Sequence, residues 1–276
     1  TTMISDKVPS INCGMRGITY MEVKVTGPDK DLHSGHYGGA VVNPLNALCR
    51  MVASLVDKDG HITIKGFYDD VIDLSDADRK MLSRAPYDET DFKASIGVDA
   101  LAGEKGYSTL ERIGIRPCLD VNGIWGGYIS EGSKTVIPSC AHAKISMRLV
   151  PNQESGKIAE LFSAHFKAIA PEGVKVEVEE KHGGDGFLIP ISSAAYRAAS
   201  KAMGEVYGIE PVPSRGGGSI AILAQMQREL HSDPLLMGFG LERDVIHSPN
   251  ESFLIDQLFK GMRSVALFYE YFQDTL

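Results

Sequence analysis

An alternating segment followed by an amphipathic one constrains the fold of this sequence more than any other feature. Residues 141–150 (AHAKISMRLV) alternate between apolar and polar side chains, which predicts a strand with one buried face. Residues 153–169 repeat apolar side chains at helical spacing and predict an amphipathic helix. A third stretch places Val174, Val176 and Val178 on one side of a second strand. The chain therefore contains a strand, a helix and a strand in immediate succession.

The first part of the chain adds the elements that precede this succession. Residues 18–25 alternate and end in a turn, which predicts another half-buried strand. Asn43 as N-cap and Pro44 as the first helical residue predict a helix after a glycine-rich loop. The order strand, helix, strand, strand, helix, strand is that of a ferredoxin-like α+β domain.

The segment from about residue 57 to 117 carries short, mixed signals and is predicted to be an insertion on the surface of that domain. Its HITIKGF stretch is β-like, and helices are predicted to start at Ser75 and Asp88. The glycine-rich residues 181–187 (KHGGDGF) are the natural linker to the last part of the chain.

Beyond this linker the pattern changes to helices alternating with short apolar strands. Helices are predicted over 192–207 and 251–272, with another after the RGGGS loop, and a strand is predicted at 235–241 (LLMGFGL). This alternation predicts an α/β layer. Because the layer has few strands of its own, we expect it to belong to a larger sheet.

Composition and charge exclude several classes of partner. The chain carries 28 Lys and Arg against 36 Asp and Glu, and its basic residues are scattered. Nucleic acids and anionic membranes attract clustered basic residues, so neither is expected as a partner. No apolar run reaches about 18 residues, and the first residues lack the features of a signal peptide. The four cysteines are widely spaced, without a CxxC pair, which favours a reducing, cytoplasmic setting.

Two segments in the last third of the chain contain candidate ligand-binding residues. His247 precedes a Pro-Asn-Glu helix start, and without a second histidine three to five residues away it fits a capping residue as well as a metal ligand. The 216–219 loop (GGGS) precedes a predicted helix, whose free N–H groups could hold a carboxylate or a phosphate. A flexible loop entering a buried helix is the alternative interpretation of these residues.

Three further polar side chains, in the first two thirds of the chain, are candidates for a functional role. His33 lies in a glycine-rich loop, either as a surface residue or as a hydrogen-bond donor to a developing oxyanion. Arg148 lies on the polar face of its strand, either as a solvated charge or as a bidentate hydrogen-bond donor to a substrate carboxylate. His182, between a lysine and two glycines, is equally open to a surface or a binding role.

Eight short motifs in one order connect these residues with a known family. They are GMRGITYMEVKV, DLHSGHYGG, SLVDKDG, GSKTVIP, ISMRLVPN, HGG, GGGSI and HSPNE. Any one of them is weak, but together they resemble the carnosinases and cytosolic non-specific dipeptidases, which are two-zinc metallopeptidases of the aminoacylase and desuccinylase clan. The resemblance covers essentially the whole chain.

The resemblance implies a ferredoxin-like dimerisation lid inserted into an α/β zinc-peptidase catalytic domain. Lids of two subunits would pair to form a homodimer. The expected domains are the end of a first catalytic segment, the lid with its insertion at about 57–117, and the C-terminal part of the catalytic domain. Their predicted bounds are 1–14, 15–184 and 185–276.

The resemblance also assigns roles to individual residues. His247 matches a ligand of one of two zinc ions, with Mn as the alternative metal, and His33 matches a lid histidine that reaches the partner subunit's site and polarises the scissile carbonyl. The substrate's carboxylate and carbonyl would be held by lid residues and by the glycine loop, at Thr135, Arg148, His182, Gly218 and Ser219.

The sequence also departs from the family pattern. The other metal ligands and the general base would lie before Thr1, so we expect a C-terminal fragment that retains no zinc and has no activity by itself. In the glycine loop, Gly216 and Ala221 replace a glutamate and a proline of the family, which leaves the loop's rigidity and specificity open.

The predicted activity of the intact enzyme is the metal-dependent hydrolysis of dipeptides. Two alternatives remain open from the sequence alone. The first is an N-acyl amino acid deacylase of the same clan, which the long insertion and the GSKTVIP and RLVPN motifs disfavour. The second is a non-catalytic module that only dimerises through its lid.

Overall fold

The computed structural model describes residues 1–274, apart from the side chain of residue 77. Its strands are β1 (Ser10–Met15), β2 (Gly17–Thr26), β3 (Leu32–His33), β4 (Cys118–Gly126), β5 (Val136–Ile137), β6 (Cys140–Leu149), β7 (Lys175–Gly184), β8 (Phe187–Leu188) and β9 (Val212–Gly216). Its α-helices are α1 (Ser34–Tyr37), α2 (Pro44–Ala53), α3 (Asp76–Leu82), α4 (Glu89–Ile96), α5 (Thr109–Gly114), α6 (Ser155–Ala168), α7 (Ala194–Tyr207), α8 (Ala221–Leu230) and α9 (Ile255–Gln273). A 3-10 helix spans Glu242–Asp244.

The largest sheet has four antiparallel strands in the order β4-β6-β2-β7. With α2 following β2 and α6 following β6, this is the ferredoxin-like order that the alternating segments predict. We call this sheet and its two helices the four-stranded unit. The predicted fold class, a mixed α and β structure with a ferredoxin-like part, is confirmed.

The core of the four-stranded unit lies between the sheet and its helices. Alternate residues of β2 (Met21, Val23 and Val25) are buried because successive side chains of a strand point to opposite faces. The helix α6 contributes Phe162 and Phe166, which are also fully buried. Burying a side chain of this size stabilises the fold by about 1.5–3 kcal/mol. The other face of the sheet remains free to carry polar residues.

A second, smaller sheet joins the two ends of the chain. In the order β8-β1-β9, β1 pairs in parallel with β9 and antiparallel with β8. Its core includes Ile11, Phe187 and Met203. We call this sheet with α7, α8 and α9 the three-stranded unit. The chain between β1 and β8 forms the four-stranded unit and its insertion, and the domain bounds at 14 and 184 stay a prediction.

The insertion is anchored by a buried ion pair. Arg116 Nε and Nη2 each lie 2.7 Å from a carboxylate oxygen of Glu104, and both side chains are less than one tenth exposed. The Arg116 guanidinium also lies over the Tyr107 ring, and Glu104 contacts His61 Nδ1 at 3.1 Å. The predicted helix starts at Ser75 and Asp88 are confirmed as N-caps of α3 and α4.

Three predicted elements differ in the structure. The predicted strand at 235–241 is wrong, since this segment forms only single bridges at Leu236 and Gly240. Its apolar side chains pack into the core of the three-stranded unit without a strand ladder. The predicted linker at 181–187 is shorter, because β7 continues to Gly184, and the last helix begins at Ile255 rather than 251. None of the described helices is long and apolar enough to cross a membrane.

Candidate functional site

The two units meet where β6 faces the glycine loop. Arg148 Nη1 donates a hydrogen bond of 2.8 Å to Ser219 Oγ. Arg148 pairs in register with Ile18 on β2, and it lies on the polar face because its neighbours Met147 and Leu149 are buried. The structure therefore brings together two residues that lie 71 positions apart and that the sequence analysis selected separately.

His182 lies at the same corner of the sheet. It pairs in register with Tyr20 on β2, and the two rings stack with centroids 5.0 Å apart. Because Ile18 and Tyr20 are two residues apart on one strand, Arg148 and His182 share the face that the glycine loop approaches. Four of the five predicted substrate-binding positions thus lie at this corner, since Gly218 directly precedes Ser219.

Close packing of small residues holds this corner together. A Cβ atom at Gly184 would lie 2.4 Å from the Cβ atom of Ala221, the first residue of α8. A Cβ atom at Gly17 would lie 2.6 Å from the carbonyl oxygen of Gly184. Glycine at 184 therefore allows α8 to approach β7, and glycine at 17 allows the start of β2 to approach the end of β7. Among the described residues, no side chain caps the N-terminus of α8, and the Leu223 N–H donates to the Ile220 carbonyl oxygen at 3.0 Å. The N–H groups that precede Leu223 in this first turn are therefore suited to an anion.

His33 lies on a separate two-stranded ribbon, where β3 pairs with β5. Its Nδ1 accepts a hydrogen bond of 3.0 Å from the backbone N–H of Gly35. A neutral imidazole that accepts at Nδ1 carries its hydrogen on Nε2, so the exposed ring presents an N–H donor. Thr135 adjoins this ribbon, because its carbonyl oxygen accepts a hydrogen bond from the Ser34 N–H.

The His33 ribbon and the Arg148 corner lie at opposite ends of the four-stranded sheet. Arg148 pairs with Ile18 near the start of β2, whereas the ribbon adjoins the other end, where Thr26 pairs with Cys140. Eight residues of extended strand separate Ile18 from Thr26, which corresponds to about 26 Å. The structure therefore places His33 and Thr135 together, but not with Arg148 and Ser219 of the same chain.

His247 lies in a strained, exposed loop of the three-stranded unit. Its φ is 64°, and the nearby Val245 and Asn250 also have positive φ angles of 50° and 65°. Such angles are costly for residues other than glycine, above all for a β-branched valine, and strain of this kind clusters at functional sites. The buried Asp244 supports the loop, since its Oδ2 accepts the Leu241 N–H at 2.7 Å.

The described residues contain no group of side chains that would form a complete metal site. Within residues 1–274, no three His, Cys, Asp or Glu side chains are grouped so that they could hold a metal ion. A zinc site needs three or four protein ligands, and His247 offers one.

The sequence analysis missed Arg16, which lies between β1 and β2. Its side chain is 8% exposed, and its Nε donates to the Gly217 carbonyl oxygen at 3.0 Å. Burial lowers the pKa of the Arg16 guanidinium, and the neighbouring Cys118 opposes this shift. The sequence could have indicated this residue, because it is an arginine in an otherwise apolar and glycine-rich segment (INCGMRG).

Comparisons with known proteins connect this architecture with one family. Residues 13–174 match the model of the peptidase dimerisation domain. A Cys-Gly metallodipeptidase of Saccharomyces cerevisiae is 32% identical over 276 residues, covering 99% of this chain and 57% of that protein. The human Beta-Ala-His dipeptidase is 30% identical over 269 residues, covering 96% of this chain and 53% of that protein.

Solved structures agree with these relatives. Human carnosine dipeptidase 1 superposes with a TM-score of 0.80 at 29% identity, over 99% of this chain and 58% of the other. An M20 family metallo-carboxypeptidase from Sulfolobus solfataricus gives 0.87 at 28% identity, over 99% and 62%. The chain thus spans somewhat more than half the length of the yeast and human dipeptidases named above. The chain belongs to the peptidase dimerisation domain family of the M20 metallopeptidases.

Proposed function

We propose that this chain is part of a metal-dependent dipeptidase that hydrolyses the peptide bond of dipeptides. The named activities of the yeast and human relatives support this proposal. The observation that carries it is the contact between Arg148 and Ser219 at the uncapped start of α8. A guanidinium, a hydroxyl group and free N–H groups at one place form a site for a carboxylate.

The carboxylate would be the free C-terminus of the dipeptide. Arg148 has five N–H donors and one of them contacts Ser219, so its fork can bind a carboxylate as well. The N–H groups of Gly218 and Ser219 and the positive end of α8 favour the same negative charge. His182 on the same face would bind the substrate's carbonyl. Holding the carboxylate fixes the position of the peptide bond, which is itself a part of catalysis.

His33 would act in the active site of a second subunit. Its exposed Nε2–H is suited to stabilise the oxyanion that develops on the scissile carbonyl, and Thr135 beside it would contact the same substrate. The separation of about 26 Å within one chain supports an action in trans.

A homodimer through the four-stranded unit would supply this second subunit. The edge strand β4 exposes Val121, Ile124 and Trp125, which are apolar side chains suited to an interface between lids. The matching family is named for dimerisation, which supports the same arrangement.

We propose zinc as the metal, with two ions in each active site and Mn as the alternative. The relatives' description as metallopeptidases supports a metal cofactor in general. His247 would contribute one ligand from its strained loop. A cytoplasmic location is proposed as well, and the free state of Cys13, Cys49, Cys118 and Cys140 supports it.

A substrate screen with the complete gene product, supplied with Zn or Mn, tests the proposal. We expect hydrolysis of dipeptides with a free C-terminus, such as Cys-Gly or β-Ala-His, and little hydrolysis of the same dipeptides with a C-terminal amide. His33→Ala should lower kcat by about 10²–10³, the cost of losing one oxyanion donor. His231→Asn, a change at an exposed histidine at the end of α8, is the matched control and should keep full activity.

Three other outcomes would contradict parts of the proposal. Full activity of His33→Ala would exclude the oxyanion role of this histidine. Hydrolysis of N-acyl amino acids in place of dipeptides would identify a deacylase of the same clan. If the metal-loaded gene product hydrolyses neither class of substrate, the remaining hypothesis is a non-catalytic dimerisation module.

A further inference from the structure

We infer that Arg16 is a positioning residue that fixes the 216–219 loop in the shape that receives the substrate carboxylate. The inference rests on the proposed dipeptidase function, which assigns Gly218 and Ser219 to that carboxylate. Arg16 lies at the junction of β1 and β2, where the chain passes from the three-stranded to the four-stranded unit. Its position allows one side chain to contact segments of both units.

The Arg16 guanidinium connects three segments through main-chain carbonyl groups. Its Nε donates to the Gly217 oxygen at 3.0 Å, and its Nη1 donates to the oxygens of Arg112 at 3.3 Å and Arg116 at 3.1 Å. Its backbone N–H donates to the Gly216 oxygen at 3.3 Å. The glycine loop is thereby joined to the end of α5 and to the residues just before β4.

Among residues 1–274, no carboxylate lies at hydrogen-bond distance from the positive charge of Arg16. Among the described residues, its guanidinium donates to carbonyl oxygens and to the Cys118 sulfur at 3.5 Å. A buried charge of this kind acts over a longer range than a solvated one, because little water screens it. Arg16 therefore adds a positive potential near the loop as well as fixing its backbone.

Gly217 is confined between Arg16 and the insertion. A Cβ atom at this position would lie 2.8 Å from the Ile113 carbonyl oxygen and 3.1 Å from Arg16 Nη2. Ile113 belongs to α5, whose start is secured by a capping box between Ser108 and Glu111. The insertion thus packs against the glycine loop and contributes to the proposed site. It was predicted to lie only on the surface of the domain.

The loop is consequently fixed at two points. Arg16 holds the carbonyl group of Gly217, and Arg148 holds the side chain of Ser219 two residues later. The peptide units between these contacts carry N–H groups that the proposed function assigns to the substrate carboxylate. Loss of the first contact should loosen substrate binding without changing the groups that act at the scissile bond.

Arg16→Lys in the complete gene product tests this inference. A lysine keeps the charge, but its single ammonium group cannot reproduce the planar fork that contacts separate segments. We expect the KM for a dipeptide to rise about tenfold, as for the loss of one charged hydrogen bond, while kcat stays within about twofold. The low kcat/KM for the same dipeptide with a C-terminal amide should not change. Arg263→Lys, at an exposed site on α9, is the matched control.

A second readout does not depend on activity. Hydrogen exchange of the backbone amides of residues 217–220 should become faster in Arg16→Lys and stay unchanged in Arg263→Lys. If the wild-type protein hydrolyses no dipeptide but the exchange prediction holds, the proposed function fails and the positioning role stands. If dipeptides are hydrolysed but both exchange and KM stay at wild-type values in Arg16→Lys, the positioning role is overturned.

Gly217→Ala provides an independent variant in case Arg16→Lys does not fold. Its Cβ atom would push the loop from the Ile113 carbonyl, so it should also raise the KM for free dipeptides and accelerate amide exchange. Thermal unfolding shows whether each variant is folded. Loss of the fold in both variants would overturn the inference, because Arg16 would then be a purely structural residue.

Discussion

Two arginines near the 216–219 loop are suited to different tasks because their surroundings differ. Arg148 lies on the outer face of β6 and contacts the hydroxyl group of Ser219, so its other donors can take part in recognition. Arg16 is buried and donates to main-chain carbonyl groups, so it is suited to hold a backbone in place. Residue type alone does not distinguish these tasks, whereas burial and partners do.

The cysteines should differ in reactivity in an order set by burial. Burial raises the pKa of the Cys13 and Cys118 thiols, so near neutral pH fewer of these groups are thiolates, which are the form that reacts with alkylating agents. At about pH 8, mass spectrometry should find Cys49, which is exposed, alkylated well before Cys13. Faster labelling of Cys13 than of Cys49 in the folded protein would contradict this assignment.

The same raised pKa has a consequence for stability. A thiol whose pKa is higher in the folded than in the unfolded state contributes stability below the unfolded value of 9.0, and this contribution is lost as the pH rises through the folded value. The free energy of unfolding should therefore fall on the alkaline side. Cys13→Ala should reduce this alkaline dependence.

Single residues also show what could be predicted from the sequence. The N-cap Asn43 was predicted from its position before Pro44, and its Oδ1 accepts the Leu45 N–H at 2.9 Å. Such caps depend on neighbours in the sequence. The role of Arg16 could not be predicted in this way, because its partners lie about 100 and 201 positions away. The pairing of β1 with β9 brings the Gly217 segment to Arg16, and the pairing of β4 with β6 and of β6 with β2 brings the Arg116 segment there.

At the level of elements, prediction succeeded where one face of a strand is buried and the other is polar. Both β2 and β6 were predicted to within about two residues, because alternation marks a half-buried strand. The edge strand β4 was not located, since it exposes residues on both faces and its register shifts between Val121 and Gly123. The 235–241 segment was predicted as a strand because a continuous apolar run does not distinguish a strand from a packed coil.

The insertion should depend on its buried ion pair. Glu104→Ala leaves the Arg116 charge without its main partner in a buried position, so we expect the free energy of unfolding to fall by about 3 kcal/mol. Asp70→Ala removes the exposed pair with Lys157 and should have a much smaller effect. Urea unfolding followed by circular dichroism measures the free energy of unfolding of both variants. Equal losses in the two variants would contradict the larger contribution predicted for the buried pair.

The whole molecule divides the proposed site between the two ends of its four-stranded sheet. One end carries Arg148 and Ser219, which would bind the substrate carboxylate, and the other carries His33, which would act on the scissile carbonyl. About 26 Å of strand separates them, which exceeds the length of a dipeptide. The proposed site would therefore require two subunits, each contributing a different end.

Complementation between two variants, each of which should lose most of its activity, tests whether His33 of one subunit acts with Arg148 of the other. His33→Ala and Arg148→Ala subunits of the complete gene product are mixed in equal amounts, exchanged, and checked for mixed dimers by native mass spectrometry. In each mixed dimer, one site combines an intact Arg148 with an intact His33 from the partner. The account predicts that the mixture recovers roughly a quarter of wild-type activity, because about half of the dimers are mixed and each has one complete site. If mixed dimers form but the mixture stays as inactive as the separate variants, His33 does not act across the dimer and the account is contradicted.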